Sequence, residues 1–233
     1  MLIAGFQKMT LLDYPEKIAA LVFTQGCNFA CGYCHNPEMI PSKRILPYRP
    51  EFEPEAILDF LSRRRGLLDG VVISGGEPTL QPDLADFMTQ VKALGLLIKL
   101  DTNGSHPEIL KKLFGNNLVD YVAMDLKHTA EEYRALVKND CAEAIQKSIQ
   151  IIKGSGVDYE FRSTILPSLH RIEHIHSMGG MIRGAKRWYL QNFRPLKTLD
   201  RKLSTERSFR EDELNLYRQA ASKYAEFVGV RGD

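Results

Sequence analysis

Ile18-Ala19-Ala20-Leu21-Val22-Phe23-Thr24 runs into Cys27-Asn28-Phe29-Ala30-Cys31-Gly32-Tyr33-Cys34 with only two residues between them. The first stretch is almost entirely apolar and predicts a buried strand that leads straight into a cysteine loop. Three clustered thiols are an odd number for disulfides and one short of a closed four-thiolate metal site. A cuboidal iron–sulfur cluster held by only three thiolates would leave one iron open to another ligand.

A structural zinc site is the alternative for the same three thiols. Zinc would need a fourth protein ligand to close its tetrahedron, and His35, directly after Cys34, is poorly spaced to join the same ion. The remaining cysteine, Cys141, precedes a predicted helix and is interpreted as a small buried hydrophobe without a functional role.

Length and composition predict one globular domain over residues 1–233, since the chain is 44% hydrophobic. The net charge is +2 with acids and bases interspersed, so no nucleic-acid partner is expected. No apolar run of about 18 residues predicts a membrane span, and the N-terminal residues lack a signal-peptide pattern. Few cysteines, mostly clustered, fit a reducing cytoplasm. An open iron–sulfur cluster would also be sensitive to oxygen, which suggests anaerobic conditions.

Short apolar runs alternate with amphipathic stretches along the whole chain, and this alternation predicts βαβ units and a parallel sheet. About six such units predict an α/β fold of the partial (β/α)6 TIM-barrel type, with mostly parallel strands, rather than a closed eightfold barrel. The proline-rich residues 37–54 predict an irregular loop. The predicted strands are 18–24, 71–73, 96–100, 121–126, 157–165, 188–193 and 228–230, and the predicted helices are 55–65, 84–94, 107–114, 131–137, 142–153, 172–182 and 212–227.

Polar motifs follow three of these strands, at the edge where parallel α/β folds carry their chemistry. They are Ser74-Gly75-Gly76-Glu77-Pro78, Asp101-Thr102-Asn103-Gly104 and Asp125-Leu126-Lys127. Each has a plainer interpretation, as a Gly-Gly turn, an Asn-Gly turn and a surface salt bridge. Their recurrence at successive strand ends favours a ligand site.

Arg162 lies inside the predicted strand 157–165, where an arginine is costly unless it is paired. It is predicted either to pair with a carboxylate inside the barrel or to contact a cofactor. In the next strand, alternation points Gln191 into the barrel, whereas Trp188 and Phe193 are expected to pack.

Histidines and basic runs outside these motifs are predicted to lie on the surface. His170 and His174 are four residues apart, a spacing that could bind metal, but with no other ligand nearby they and His176 are taken as surface residues. Residues 63–65 and 194–210 are interpreted as solvated basic faces. Residues 194–210 could alternatively dock a partner protein.

The cysteine run, with the aromatic Tyr33 just before its last cysteine, resembles the signature of the radical S-adenosylmethionine enzymes. The resemblance implies that Cys27, Cys31 and Cys34 hold a 4Fe–4S cluster. The fourth iron of that cluster binds the amino and carboxylate groups of S-adenosylmethionine. One electron then cleaves this cofactor to methionine and a 5′-deoxyadenosyl radical.

The later motifs resemble those of the glycyl-radical enzyme activating enzymes, a branch of the same family. Their counterparts there bind the methionyl ammonium, the methionine and ribose portions, and the carboxylate of the cofactor. A monovalent cation beside that carboxylate is also implied, with Asp101, Thr102 and Asp125 as its ligands. The resemblance, together with the position of Arg162, assigns cofactor binding to Tyr33, Gly75, Gly76, Glu77, Thr102, Asn103, Asp125, Lys127 and Arg162.

Residues 4–17 and Cys34-His35-Asn36-Pro37 resemble the activating proteins of anaerobic ribonucleoside-triphosphate reductase, of the kind with a single cluster. This implies a glycyl-radical enzyme as partner, most directly that reductase, and an electron donor such as flavodoxin or ferredoxin. One alternative is a radical enzyme that acts on a small molecule or a peptide. Another is a non-enzymatic zinc or iron–sulfur module, which would not explain polar motifs at three successive strand ends.

Overall fold

One eight-stranded sheet forms the frame of the part of the chain that the computed structural model describes, residues 1–40 and 52–232. The strands lie side by side in chain order. β1 pairs antiparallel with β2, and every later neighbour is parallel. In the described residues β1 and β8 do not pair, so the barrel is open, and the predicted partial barrel with mostly parallel strands is confirmed. The strands are Ile3–Thr10 (β1), Ala19–Thr24 (β2), Gly70–Gly75 (β3), Leu97–Thr102 (β4), Tyr121–Asp125 (β5), Asp158–Ile165 (β6), Ala185–Asn192 (β7) and Ala225–Arg231 (β8).

Amphipathic helices connect the parallel strands and bury their apolar stripes against the sheet. In α1, Ile57 and Leu61 are buried four residues apart, and a proline occupies its first turn. None of the helices in the described ranges has the length and apolar character needed to span a bilayer. The helices are Pro54–Arg63 (α1), Leu84–Ala93 (α2), Pro107–Gly115 (α3), Tyr133–Val137 (α4), Ala142–Gly154 (α5), Ile172–Met181 (α6) and Glu211–Ala221 (α7).

The register of the parallel strands brings the predicted polar motifs to one edge of the sheet. Thr24 at the end of β2 is level with Gly75 at the end of β3. Further along, Thr102 of β4 is level with Met124 of β5, and Asp125 of β5 is level with Arg162 of β6. The cysteine loop follows β2 directly, so it lies at this same edge.

Three parts of the sequence-based prediction were incomplete or wrong. β1 was not predicted, because only its first and last residues are buried and it shows no clean alternation. The predicted helix 212–227 ends at Ala221, and the following strand is longer than expected, since β8 pairs with β7 from Ala225 to Arg231. Of the predicted loop 37–54, residues 37–39 form a single 3₁₀ turn, and residues 41–51 lie outside the described part of the chain.

Candidate active site

A cavity of about 290 Å³ opens at the carboxyl edge of the sheet, between the cysteine loop and the ends of β3 to β7. Nearly all of the residues predicted for the site line it. The structure brings together on its wall Cys27, Cys31, Tyr33, Cys34, Gly75, Gly76, Asp101, Thr102, Asn103, Asp125, Lys127 and Arg162. Gln191, predicted to point into the barrel, lines it as well.

The three thiols of the loop are free and largely withdrawn from water. Cys31 is buried, and Cys27 and Cys34 are half-buried. Burial raises the pKa of Cys27 to about 11 and that of Cys31 to about 12, and it raises the pKa of Cys34 too. A metal binds the thiolate form, so loading a metal centre here releases protons.

The cysteine loop is tied to the neighbouring strand ends by asparagine side chains. The Asn103 amide donates to the Asn28 side-chain oxygen at 2.9 Å, and the Asn28 amide donates to Ser105 Oγ at 2.9 Å. From the other side, Asn139 donates to the Asn28 carbonyl at 3.2 Å. These contacts fix the loop relative to β4 before any ligand binds.

Gly75 and Gly76 are required by the backbone of the neighbouring loop. Gly75 has a φ of +113°, and a Cβ there would lie 2.4 Å from the Thr24 backbone. A Cβ on Gly76 would lie 1.9 Å from the Gly26 carbonyl oxygen. The Glu77 N–H donates a hydrogen bond to this same oxygen at 2.7 Å. The structure shows that the close approach is between two loops.

Glu77 is fully buried and lies behind the cavity wall, not on it. Its carboxylate accepts hydrogen bonds from the Thr79 amide at 3.1 Å, Thr102 Oγ1 at 2.8 Å and the Asn103 amide at 2.6 Å. Burial raises the pKa of this carboxyl, although its hydrogen bonds act in the opposite direction. The side chain was predicted to contact a cofactor directly, but in the structure it does not line the cavity and instead accepts hydrogen bonds from Thr102 and Asn103, which do line it.

An ion-pair network covers the floor of the cavity. Arg162 donates to Asp101 through Nη1 and to Asp125 through Nε, both at 3.0 Å. Lys99 also pairs with Asp101, and Lys127 Nζ lies 2.9 Å from Asp125. Burial opposes ionisation of Asp125, but Arg162 and Lys127 outweigh it and lower its pKa to about 2. Three cations against two carboxylates leave the floor positively charged. Arg162 therefore pairs with carboxylates inside the barrel, as one of its two predictions had it, and it also lines the cavity. Its contact with a cofactor stays a prediction.

The geometry supports neither of the two sites for a single metal ion, the monovalent-cation site and the zinc site. Thr102 Oγ1 is engaged by Glu77 and the Gly104 amide, and both candidate carboxylates face lysine and arginine. Across residues 1–40 and 52–232, no group of three or more His, Cys, Asp and Glu side chains is arranged to hold one metal ion. The monovalent cation stays a prediction. The cysteines are not arranged as a zinc site would require.

The surface assignment of His170 was wrong. His170 is 1% exposed, and its ring lies 4.9 Å from that of His128, which in turn lies 4.6 Å from that of His174. His170 Nε2 donates to the Lys127 carbonyl at 3.2 Å, and Nδ1 accepts from the Leu166 amide at 3.3 Å. The segments after β5 and β6 supply these partners, which sequence spacing alone does not reveal.

Several residues on the cavity wall were not predicted as site residues. His35 stacks on Phe193 with ring centroids 5.6 Å apart, and its Nε2 donates to the Arg194 carbonyl at 3.0 Å. Thr164 follows Arg162 by two residues on β6, so strand alternation could have found it. The wall also includes Phe29, Asn36, Met39 and Ser74.

The donor set fits an iron–sulfur cluster and a polar, partly anionic cofactor. Three thiols, with no closing fourth ligand beside them in residues 1–40 and 52–232, suit a cluster with one open iron. The Tyr33 hydroxyl is buried on the cavity wall and has no hydrogen-bond partner in the described part of the chain, so a ligand there would satisfy it. The positive floor suits a carboxylate.

Comparison with known proteins agrees with this site. The model of the Radical SAM superfamily matches residues 21–179. A protein of Methanocaldococcus jannaschii, provisionally named a glycyl-radical enzyme activating enzyme, is 34% identical over 99% of this chain and 95% of its own length. The pyruvate formate-lyase-activating enzyme of Clostridium pasteurianum is 29% identical over 84% of this chain and 82% of its own.

A solved structure shares the fold. Streptococcus suis SuiB bound to S-adenosylmethionine superposes with a TM-score of 0.62 at 14% identity, over 91% of this chain and 51% of that one. At such low sequence identity the structural similarity shows only that the two proteins share a fold.

The chain therefore belongs to the radical S-adenosylmethionine superfamily and, within it, to the glycyl-radical enzyme activating enzymes. It is an enzyme whose cofactors are a 4Fe–4S cluster and S-adenosylmethionine.

Proposed function

We propose that this protein forms a glycyl radical on anaerobic ribonucleoside-triphosphate reductase, by removing a hydrogen atom from one backbone glycine of that partner. The observation that carries the proposal is the cavity itself, where three thiols face a positively charged floor across a space open at the barrel mouth. The choice of partner is supported by residues 4–17 and by Cys34-His35-Asn36-Pro37, which resemble the activating proteins of that reductase.

The cluster and S-adenosylmethionine supply the radical chemistry when they are bound. Cys27, Cys31 and Cys34 hold the cluster. Lys127 and Arg162 line the cavity and attract and orient the carboxylate of the cofactor, since the network they share with Lys99 holds three cations against two carboxylates. Glu77 acts indirectly, by fixing the loop that carries Thr102 and Asn103.

The mouth of the cavity is where the partner's glycine loop would enter. His35, Thr164 and Gln191 line the cavity, and none of them belongs to the ion-pair network. Because the sheet is open between β1 and β8, an extended loop can enter without unfolding the barrel. Once seated, the loop excludes water from the cavity, which protects a reactive radical from side reactions.

Anaerobic incubation of the reconstituted, reduced protein with S-adenosylmethionine and the reductase from the same source tests the proposal. Electron paramagnetic resonance is expected to show a glycyl doublet on the reductase, with 5′-deoxyadenosine formed. A reductase variant with its radical glycine replaced by alanine is the control and should give no doublet.

A parallel incubation with pyruvate formate-lyase is informative, because one of the relatives is named a pyruvate formate-lyase-activating enzyme. A doublet on pyruvate formate-lyase and none on the reductase would show that pyruvate formate-lyase, and not the reductase, is the partner. 5′-Deoxyadenosine formed without a doublet on either protein would favour the alternative, a radical enzyme acting on a small molecule or a peptide. No 5′-deoxyadenosine from a sample that holds its cluster would contradict the radical mechanism.

A further inference from the structure

A buried tyrosine behind the wall of the active-site cavity bonds to a residue that lines it. Tyr133 is the first residue of α4, and its side chain is fully buried. Its hydroxyl oxygen accepts a hydrogen bond from the Lys127 amide at 2.9 Å and lies 3.5 Å from the Asp125 carbonyl oxygen. The tyrosine therefore reaches the backbone of the Asp125-Leu126-Lys127 motif from the side away from the cavity.

The two residues that follow the end of β5 are held mainly by bonds to side chains. Ser163 Oγ donates to the Leu126 carbonyl at 2.7 Å, and His170 Nε2 donates to the Lys127 carbonyl. The Lys127 amide is held by the hydroxyl of Tyr133. An amide that faces a fully buried ring and loses its acceptor is costly, so without this hydroxyl the backbone of Lys127 would shift towards another acceptor.

The same short helix also holds the cysteine loop. The Ala30 amide donates to the Val137 carbonyl, at the end of α4, at 2.9 Å. The Phe29 ring, which lines the cavity, packs edge-on against the Tyr133 ring with centroids 6.5 Å apart. Because α4 contacts both the cysteine loop and the Lys127 backbone, it fixes the position of one relative to the other.

The position of Lys127 matters because its charge acts on both of these parts of the cavity. Burial disfavours the charged form of Lys127, but Asp125 outweighs burial and raises the pKa of Lys127 well above its usual value. The charge also reaches the cysteine loop, where burial raises the pKa of Cys31 and Lys127 opposes that rise. A small displacement of Lys127 would therefore alter the electrostatics of the cavity at the floor and at the thiols.

We propose that Tyr133 is a positioning residue for S-adenosylmethionine, whose hydroxyl holds Lys127 in place relative to the cysteine loop and thereby sets the affinity for this cofactor. This rests on the proposed function, in which Lys127 attracts and orients the cofactor carboxylate. Tyr133 itself lies behind the cavity wall, so it acts on the cofactor through Lys127 and not by contact.

The variant Tyr133→Phe tests the hydroxyl alone, because it keeps the ring that packs against Phe29. The dissociation constant for S-adenosylmethionine is measured by anaerobic isothermal titration calorimetry on the cluster-loaded protein. We expect it to rise about tenfold, since Lys127 is no longer held where it bonds best. Iron and sulfide content should be unchanged, because no thiol is altered.

The matched control is Tyr159→Phe, which removes the same atom from another buried tyrosine. The Tyr159 hydroxyl accepts from the Lys186 amide at 3.2 Å, at the amino ends of β6 and β7 and so at the edge of the sheet opposite to the cavity. Both variants should lose a similar amount of stability in urea denaturation of the cluster-free protein. Only Tyr133→Phe should weaken binding of S-adenosylmethionine.

A double-mutant cycle with Lys127→Met separates positioning from a general loss of structure. Lys127→Met alone should weaken binding about 30-fold, because it removes a charged hydrogen-bond donor. In the Lys127→Met background, Tyr133→Phe should have no further effect on the dissociation constant, since the group that it positions is gone. A general disturbance of the fold would instead weaken binding by the same factor in both backgrounds.

Equal dissociation constants in Tyr133→Phe and Tyr159→Phe would overturn the proposal, and so would additive effects in the cycle. An unchanged affinity in Lys127→Met would overturn it as well, because Tyr133 would then have no anchor to position. Calorimetry with S-adenosylmethionine involves no partner protein. A failure to form the glycyl doublet on the reductase would therefore remove the proposed partner and leave the result for Tyr133 standing.

Discussion

At the scale of single residues, the surroundings of the four cysteines, and not their burial alone, separate the three predicted cluster ligands from Cys141. Cys31 and Cys141 are equally buried, at 6% exposure, but only Cys31 faces the active-site cavity, whereas Cys141 precedes α5. We expect Cys27→Ala, Cys31→Ala or Cys34→Ala to abolish cluster binding and formation of 5′-deoxyadenosine, because each removes one ligand. Iron and sulfide analysis with product chromatography measures both.

Cys141→Ala is the control and should retain both the cluster and the activity. Loss of the cluster in Cys141→Ala, or its retention in one of the other three variants, would contradict the three-ligand assignment.

Gly76 illustrates how a residue beside the active site can be fixed by packing. A Cβ there would meet the Gly26 carbonyl, which is backbone and cannot turn away. Gly76→Ala is expected to lower the free energy of unfolding by about 2 kcal/mol, within the range for overpacking. Urea denaturation measures the change.

The matched control for this variant is Gly154→Ala, at the end of α5, where an added Cβ meets nothing within 4 Å. It should be neutral or stabilising by about 0.5 kcal/mol, because alanine favours the helix. Equal effects of the two substitutions would contradict the packing argument for Gly76.

At the scale of secondary-structure elements, Arg162 joins the ends of β4, β5 and β6 by bonding Asp101 and Asp125 together. Arg162→Met should lower the free energy of unfolding by about 3 kcal/mol, because it leaves two largely buried carboxylates with one cation fewer. Denaturant unfolding at pH 7 measures it. In the double variant Arg162→Met/Asp125→Asn part of this loss should be recovered, since one uncompensated charge is removed.

Arg187→Met provides the comparison, as it breaks a pair with Asp158 in which both side chains are at least a third exposed. Such pairs contribute about 1 kcal/mol or less. A loss for Arg162→Met no greater than for Arg187→Met would show that the network does not hold the strand ends together.

The elements also show which sequence signals are reliable. Parallel strands buried on both faces, such as β3, appear as short apolar runs, and the helices between them have clear apolar stripes, so both were predicted to within a few residues. β1 and β8 border the open sides of the sheet and are only partly buried. β1 was not predicted and β8 was predicted only at residues 228–230, because their full lengths come from pairing with β2 and β7.

At the scale of the whole molecule, a buried histidine makes stability depend on pH. Burial, and next the neighbouring His128, lower the pKa of His170 to about 3, against a usual value of 6.5. Between these values the unfolded chain binds a proton that the folded protein does not, so stability is complete above pH 6.5 and falls as the pH is lowered. His170 contributes up to about 1.4 kcal/mol per pH unit to this fall.

His170→Gln should therefore flatten the pH dependence of the free energy of unfolding between pH 6.5 and pH 4.5, even though it costs stability at neutral pH by disturbing the bonds to Lys127 and Leu166. Urea denaturation of the cluster-free protein at several pH values gives the slope. An unchanged slope in the variant would mean that His170 is not held neutral by the fold.

The βα alternation, the cysteine loop after β2 and the polar motifs at three strand ends could be predicted from the sequence, because each depends on local composition and spacing. All but one of the predicted site residues reach one cavity, since parallel strands place their carboxyl ends at one edge. The position of Glu77 behind the cavity wall, the close contact of Gly76 with Gly26 and the burial of His170 became visible only in the folded chain. Those features depend on contacts between segments that are far apart in the chain. Neither periodicity nor a short motif predicts such contacts.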